Sequence, residues 1–175
     1  MKQTFNAIVF LLSLSFSCLS LAGINIPEGI IKLDGSKAPA LVLEDTDGNT
    51  YDITQSRGNW RIVHFWASWC GPCRREMPTV QRMAAQLADS PVDIVLVNTA
   101  ETDDAVFNFL GVVAPELSTL MDRDGLVTES WQPRGLPASF FVSPDGTLEY
   151  IALGGRQWDK PEYLNFVKAL IQSKD

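Results

Sequence analysis

Cysteine and histidine are scarce in this chain of 175 residues, which holds three cysteines and one histidine. A small disulfide-stapled scaffold would carry more cysteines, because each bridge uses two of them. A zinc site needs about four ligands, and His64 is the only histidine that could join Cys70 and Cys73. We therefore expect neither a metal site nor a bound cofactor.

Positive charge is also in short supply, with 14 lysines and arginines against 21 aspartates and glutamates and a formal net charge of −7. This acidity argues against nucleic acid or an anionic membrane surface as a partner, because both repel negative charge. Internal repeats and low-complexity runs are absent from the sequence as well. The length and the 46% of hydrophobic residues fit one globular domain, which we expect to be a monomer.

The first 22 residues have the pattern of a secretory signal peptide. Lys2 gives a positive start, a serine-dotted apolar stretch follows, and Ser20-Leu21-Ala22 resembles a small-x-small cleavage site. We expect cleavage after Ala22 and export to the periplasm or beyond. Two alternatives stay open. Residues 5–22 could be an uncleaved membrane anchor, although they are short and polar for a span of about 20 apolar residues, and Cys18 could be lipidated.

Hydrophobic periodicity predicts an α/β domain over residues 38–175, after an irregular segment at 23–37. Strands that alternate with helices predict a mixed sheet with helices on both faces. Pro78 is expected to kink the first helix. The predicted elements, in order, are a hairpin within 40–53, a buried strand at 61–66, a helix after Cys73, a strand at 92–97, a helix capped by Thr102, a strand at 117–121, a helix at 124–131, a hairpin at 138–153 and a last helix from Asp159 or Lys160.

The stretch WASWCGPC, residues 66–73, places two cysteines between a buried strand and a helix start. Cys70 would lie at the helix N-terminus, where backbone N–H groups carry roughly half a positive charge and stabilise a thiolate. Cys73, one turn on, is near enough to attack a mixed disulfide. Pro72 fixes the turn, and Gly71 leaves room for a partner chain. A static disulfide across so short a loop would add little stability, so this pattern favours a pair that cycles.

The segment RIVHFWASWCGPCRREMP, residues 61–78, resembles the active-site segment of the thioredoxin superfamily. It is most similar to that of the exported TlpA/ResA/CcmG-like thiol-disulfide oxidoreductases, and the similarity extends from Ala38 to Ser173. The resemblance implies a thioredoxin-like fold with an N-terminal β-hairpin and a central strand-helix insert. It also implies protein-disulfide oxidoreductase activity, in which Cys70 attacks and Cys73 resolves the mixed disulfide.

Further catalytic residues follow from the resemblance. Glu76 matches an acidic residue with a role in proton movement, the alternative being a first-turn glutamate that complements the helix dipole. His64 departs from the family, in which aspartate or asparagine is usual at this position. It is either a proton relay for Cys73 or a neutral, hydrogen-bonded core histidine.

The resemblance also implies a surface that binds substrate. Pro137 matches a cis-proline opposite the cysteines, and its role there is to place the Leu136 backbone beside a substrate strand. The expected substrate-binding residues are Trp69, Gly71, Pro72, Leu136 and Pro137. Trp66 and Pro78 are expected to border Cys70 with them, although Trp66 could equally belong to the core. Arg74 and Arg75 either steer acidic partners or are simply solvated.

The function implied is an exported reductase of protein disulfides, supplied with electrons by a thiol-reducing membrane donor. The Gly-Pro dipeptide between the cysteines resembles that of reducing thioredoxins, with a potential of about −270 mV. Apocytochrome c is a candidate client, although residues 132–137 do not match the stretch typical of cytochrome-maturation members. The alternative is a thioredoxin-fold binding or copper-delivery domain without redox turnover. Such domains carry extra methionine or histidine ligands, whereas the four methionines here are scattered.

Overall fold

The computed structural model describes residues 23–55 and 58–173. The expected signal peptide, its cleavage site and Cys18 therefore lie outside the described residues. Within the described ranges, no helix combines the length and the apolar character that a membrane span requires.

Eight strands and four helices follow one another along the described chain. Six strands form one mixed sheet in the order β1-β8-β7-β4-β5-β6, and β2 pairs with β3 in a separate hairpin. This is the mixed sheet flanked by helices that the sequence predicts. The elements are β1 (Ile30–Lys32), β2 (Val42–Glu44), β3 (Thr50–Asp52), β4 (Trp60–Trp66), α1 (Gly71–Gln86), β5 (Val92–Thr99), α2 (Asp103–Val113), β6 (Leu120–Asp122), α3 (Leu126–Trp131), β7 (Ala138–Val142), β8 (Leu148–Leu153) and α4 (Pro161–Gln172).

The central strand β4 is buried along its whole length, between parallel β5 and antiparallel β7. Its side chains point alternately to the two faces of the sheet. On one face Ile62 and Trp66 pack with side chains of α1, α2 and α4. On the other face Val63 and Phe65 pack with α3 and the β2–β3 hairpin region. Both apolar clusters thus fix the position of β4, whose carboxyl end leads directly into the cysteine motif.

The prediction of irregular structure at residues 23–37 is wrong in part, because Ile30–Lys32 form β1. This strand pairs antiparallel with β8 at the edge of the sheet. With three residues it is too short to show an alternating pattern. Gly29 and Gly35 on either side both have positive φ, a conformation that favours glycine and is typical of turns.

One smaller prediction also needs correction. The strand expected at 117–121 lies at Leu120–Asp122, because its bounds are set by pairing with β5. Helix α1 contains Pro78 and runs over Gly71–Gln86. In α2, Val106 is fully buried while its neighbour Phe107 is exposed, because adjacent helical residues point about 100° apart.

Candidate active site

Position and exposure distinguish the two sulfurs of the cysteine pair, which form a disulfide. Cys70 is the N-cap of α1, and its Sγ accepts the backbone N–H of Cys73 at 3.3 Å. Cys70 keeps 5% of its surface exposed, whereas Cys73 is fully buried. An incoming group can therefore reach only Cys70 without a rearrangement, and the helix N-terminus stabilises negative charge on that sulfur.

Three loops that are distant in sequence meet at the carboxyl end of β4, beside the cysteine pair. The strand β4 ends at Trp66, and antiparallel β7 begins beside it at Ala138. The Leu136–Pro137 peptide bond, just before β7, is cis, as the resemblance implies. After β8, Gly154 donates its N–H to the carbonyl of Pro137 at 2.9 Å. The loop before β7 and the loop after β8 are thus joined beside the cysteine motif.

The loop after β8 also touches the motif directly, at Gly155. A Cβ at this position would lie 3.1 Å from the Cβ of Pro72 and 3.2 Å from its carbonyl oxygen. Both distances are tighter than ordinary van der Waals contact, so glycine allows the close approach here. A cleft of about 250 Å³ opens beside this contact and is lined by Pro72, Arg75, Glu76, Gly155, Arg156 and Gln157.

Inside the fold, His64 of β4 faces Glu76 of α1, and each side chain is only 2% exposed. His64 Nε2 lies 3.4 Å from Glu76 Oε1, which is within ion-pair range and long for a hydrogen bond. His64 Nδ1 lies 2.8 Å from the hydroxyl oxygen of Ser139. Glu76 Oε2 accepts the backbone N–H of Arg156 at 3.0 Å and the indole N–H of Trp158 at 3.1 Å. The sequence predicts both His64 and Glu76, but not that they meet.

Burial determines where the protons of this pair reside. Desolvation raises the pKa of Glu76 to about 7, and desolvation together with the charge of Arg156 lowers the pKa of His64 to about 4. Near neutral pH His64 is therefore uncharged and Glu76 is close to half protonated.

The tautomer of His64 is coupled to the protonation state of Glu76. A protonated Glu76 can donate to Nε2, so that Nδ1 carries the ring proton and donates to Ser139. An ionised Glu76 favours the other tautomer, in which Nε2 carries the proton and the Ser139 hydroxyl donates to Nδ1. The tautomer of His64 can thus follow the charge of Glu76 while the imidazole itself stays neutral.

A second polar cluster holds the loop between β4 and α1. Glu101 accepts the backbone N–H of Ser68 at 2.6 Å, and it also accepts the Ser68 hydroxyl. The side-chain amide of buried Asn98 donates to the same carboxylate at 2.7 Å. Ala100, just before Glu101, has φ +55°, a strained conformation for a residue with a Cβ. The loop that carries the reactive cysteine is therefore anchored to the end of β5.

The remaining expected site residues differ in exposure. Trp69 is 68% exposed, Gly71 and Pro72 are exposed, Leu136 is half-buried and Pro137 is buried. Trp66 does not border the cysteines at the surface but is core, and its indole N–H donates to Thr119 at 3.0 Å.

Sequence reasoning missed four residues of the site. Glu101, Arg156 and Trp158 act from positions far along the chain from their partners, so no local pattern marks them. Ser139 could have been identified from the sequence, because it is a polar residue inside the buried apolar strand Ala138–Val142 and so needs a hydrogen-bond partner.

Comparison with known proteins agrees with this geometry. The sequence profile of the Redoxin family matches residues 33–167. Thiol-disulfide oxidoreductase ResA of Bacillus subtilis is 30% identical over 136 residues, which cover 77% of this chain and 76% of ResA. ResA of Oceanobacillus iheyensis is 31% identical over 136 residues, or 75% and 71% of the two chains. A Chlorobium tepidum protein assigned as thiol:disulfide interchange protein DsbE superposes with a TM-score of 0.70, at 31% identity, over 78% of this chain and 96% of that one.

Proposed function

Because the chain belongs to the Redoxin family and is a ResA-like thiol-disulfide oxidoreductase of the thioredoxin superfamily, we propose that it is exported and reduces protein disulfides. Protein disulfides as a class are its substrates. The observation that carries the proposal is the unequal placement of the two sulfurs. Cys70 caps a helix N-terminus and keeps 5% of its surface exposed, while Cys73 is fully buried one turn away.

The proposed reaction has two exchanges. The Cys70 thiolate attacks one sulfur of a client disulfide, a mixed disulfide forms, and the other client sulfur leaves as a thiolate. Cys73, once deprotonated, attacks the Cys70 sulfur, and the second client thiolate is released. The client has gained two electrons and the enzyme has formed its own disulfide. A separate thiol-reducing donor, which we place in the membrane, must then reduce that disulfide.

Glu76 and His64 are the proposed proton carriers for the second exchange. Glu76 follows Cys73 by three residues on α1, so the two side chains are neighbours on one face of the helix. A carboxyl with a pKa near 7 both accepts and returns protons at neutral pH. Because Glu76 also lines the cleft beside Pro72, the proton has a short path to solvent.

The proposed client-binding surface combines Trp69, Gly71 and Pro72 with Leu136 and Pro137. Trp69 supplies an exposed aromatic side chain beside the reactive sulfur, and aromatic side chains contribute strongly to binding. The contact between the loops before β7 and after β8 supports a shared surface with the cysteine motif. Within that surface, we propose that the backbone of Leu136 pairs with an extended client segment.

Export is proposed from the sequence of residues 1–22, with cleavage after Ala22. Apocytochrome c is one proposed client among exported disulfide proteins. No observation on the described part of the chain favours the copper-delivery alternative.

The test is the reduction potential of residues 23–175, equilibrated in glutathione or dithiothreitol buffers and read by thiol alkylation. A potential at or below about −250 mV would support a reductase, and one near about −120 mV would make the protein an oxidant instead. As a control, Cys73→Ser should trap a mixed disulfide on Cys70. A chain with no reversible transition would contradict the redox function itself.

A further inference from the structure

Three segments at the cysteine motif carry arginines that face outward. Arg75 lies in the first turns of α1, Arg134 in the loop before β7, and Arg156 in the loop after β8. We call these three residues the active-site arginines. The neighbouring Arg74 is engaged within the fold, because it donates to the carbonyl of Ser68 at 3.0 Å and lies over the ring of Phe109. Arg75 and Arg134 are exposed, and Arg156 is half-buried. The cysteine motif of a chain whose net charge is −7 is therefore flanked by three arginines.

Arg75 lies directly beside the cysteine motif. Its Nη1 is 3.5 Å from the position that a Cβ on Gly71 would occupy. Arg75 and Arg156 also line the same cleft of about 250 Å³, together with Pro72 and Gln157. A group that enters this cleft therefore lies beside two arginine residues close to the reactive pair.

Arg156 is held in place more firmly than a free surface arginine. Its Nη2 donates to the carbonyl of Leu153 at 2.8 Å, and its guanidinium lies over the rings of Trp158 and Tyr163 at 5.2 and 5.5 Å. Such a fixed guanidinium loses little freedom when it binds an anion.

Among the described residues, no guanidinium nitrogen of the active-site arginines lies within 4.0 Å of a carboxylate oxygen, although the backbone N–H of Arg156 donates to Glu76 at 3.0 Å. Elsewhere on the described chain, Arg82 pairs with Asp159 and Arg123 pairs with Asp103. Two acids lie nearby. Glu76 lines the cleft, but burial raises its pKa to about 7, so it offsets only part of the charge. Glu101 accepts two hydrogen bonds from Ser68 and one from the side-chain amide of Asn98.

We propose that the active-site arginines bind an acidic segment of the protein client, next to the disulfide that is reduced. The proposal rests on the proposed function, because it names the chemistry of that client. Guanidinium groups pair with carboxylates through two parallel N–H···O bonds, which positions as well as attracts a client. An uncompensated positive patch on an acidic protein also steers acidic partners and repels basic ones.

The test compares two peptides that carry the same disulfide, one flanked by aspartates and glutamates and the other by serines and asparagines. With the reduced enzyme, we expect the second-order rate constant to be about tenfold higher for the acidic peptide at low salt. This preference should fall toward unity in about 0.5 M salt, because salt screens exposed charges. A variant with Arg75→Gln and Arg134→Gln should lose most of the preference.

The matched control carries Arg82→Gln and Arg123→Gln, the same change in charge at arginines that are paired with aspartates. It should keep the preference for the acidic peptide. Equal rates for the two peptides, or loss of the preference in both double variants, would overturn the proposed acidic client while leaving the reductase function intact. Failure to reduce either peptide would count against the reductase function instead.

Discussion

At the scale of single residues, folding moves a proton from His64 to Glu76. The pKa of His64 falls from 6.5 to about 4, so the unfolded chain binds more protons than the folded one across that range. Stability from this group is lost as the pH falls. The pKa of Glu76 rises from 4.5 to about 7, so the folded chain binds more protons there, and stability is lost as the pH rises. Between pH 4.5 and 6.5 the two trends oppose each other and nearly cancel.

Replacing either His64 or Glu76 should therefore reveal the pH dependence of stability that the other residue contributes. For Glu76→Gln, we expect the free energy of unfolding to rise with pH between 4 and 6.5, relative to the unmodified chain. For His64→Asn, we expect it to fall between pH 4.5 and 7. For either group, the difference between the ordinary pKa and the pKa in the folded chain corresponds to about 3 kcal/mol of unfolding free energy over the full titration. Urea unfolding of the oxidised chain at a series of pH values measures both slopes. If the free energy of unfolding changed with pH in the same direction in both variants, the opposite pKa shifts of His64 and Glu76 would be contradicted.

Glu101 is expected to act by position and not by charge. Glu101→Ala removes the acceptor for Ser68 and Asn98, and the loosened loop should lower kcat/KM for a client disulfide roughly tenfold. Glu101→Gln keeps a carbonyl acceptor for the Ser68 N–H and the Asn98 amide, and its own amide can donate to the Ser68 hydroxyl. It should therefore restore most of the activity. A glutamine variant as slow as the alanine variant would show that the negative charge is what matters.

The sequence predicts the reactive residues better than the residues that support them. Cys70, Cys73 and Pro137 belong to short motifs, so a resemblance transfers them one by one. The His64–Glu76 contact depends on how α1 packs on β4, and the Glu101–Ser68 contact spans 33 positions of the chain. Such contacts arise only when the sheet has formed, and no local pattern encodes them.

At the scale of elements, predictions succeeded where a strand or helix is long enough to show a period. Helix α1 buries Met77, Val80 and Met83 at helical spacing, and β4 is a buried run of seven residues. The strands β1 and β6 have three residues each and owe their existence to the strands beside them. Their bounds are set by pairing within the sheet, and a segment of three residues is too short to predict them from the sequence.

The edge strand β1 should nevertheless contribute measurably to stability. Ile30 is 7% exposed and belongs to the main apolar cluster, whereas its neighbour Ile31 is 52% exposed. Ile30→Ala should lower the free energy of unfolding by about 2–3 kcal/mol, and Ile31→Ala should change it by less than about 0.5 kcal/mol. Denaturant unfolding of both variants provides the comparison. Equal effects would mean that β1 is not docked on β8 in solution.

At the scale of the whole molecule, the net charge does not describe where the charged side chains lie. The net charge of −7 describes the chain as acidic, yet the edge that carries the cysteines gathers arginines from three loops. Those loops are separated by tens of residues and are brought together because β7 runs antiparallel to β4 and β8 returns beside β7. The placement of these arginines around the cysteines is therefore a consequence of strand order.

The exposure of Trp69 gives the protein an optical reporter of its own. The other four tryptophans, Trp60, Trp66, Trp131 and Trp158, are at most 9% exposed, against 68% for Trp69. A soluble collisional quencher such as acrylamide will therefore act mainly on one indole, the residue next to Cys70. The quenched part of the emission reports on that neighbourhood alone, so client docking and the redox state of the pair can be followed without an attached dye.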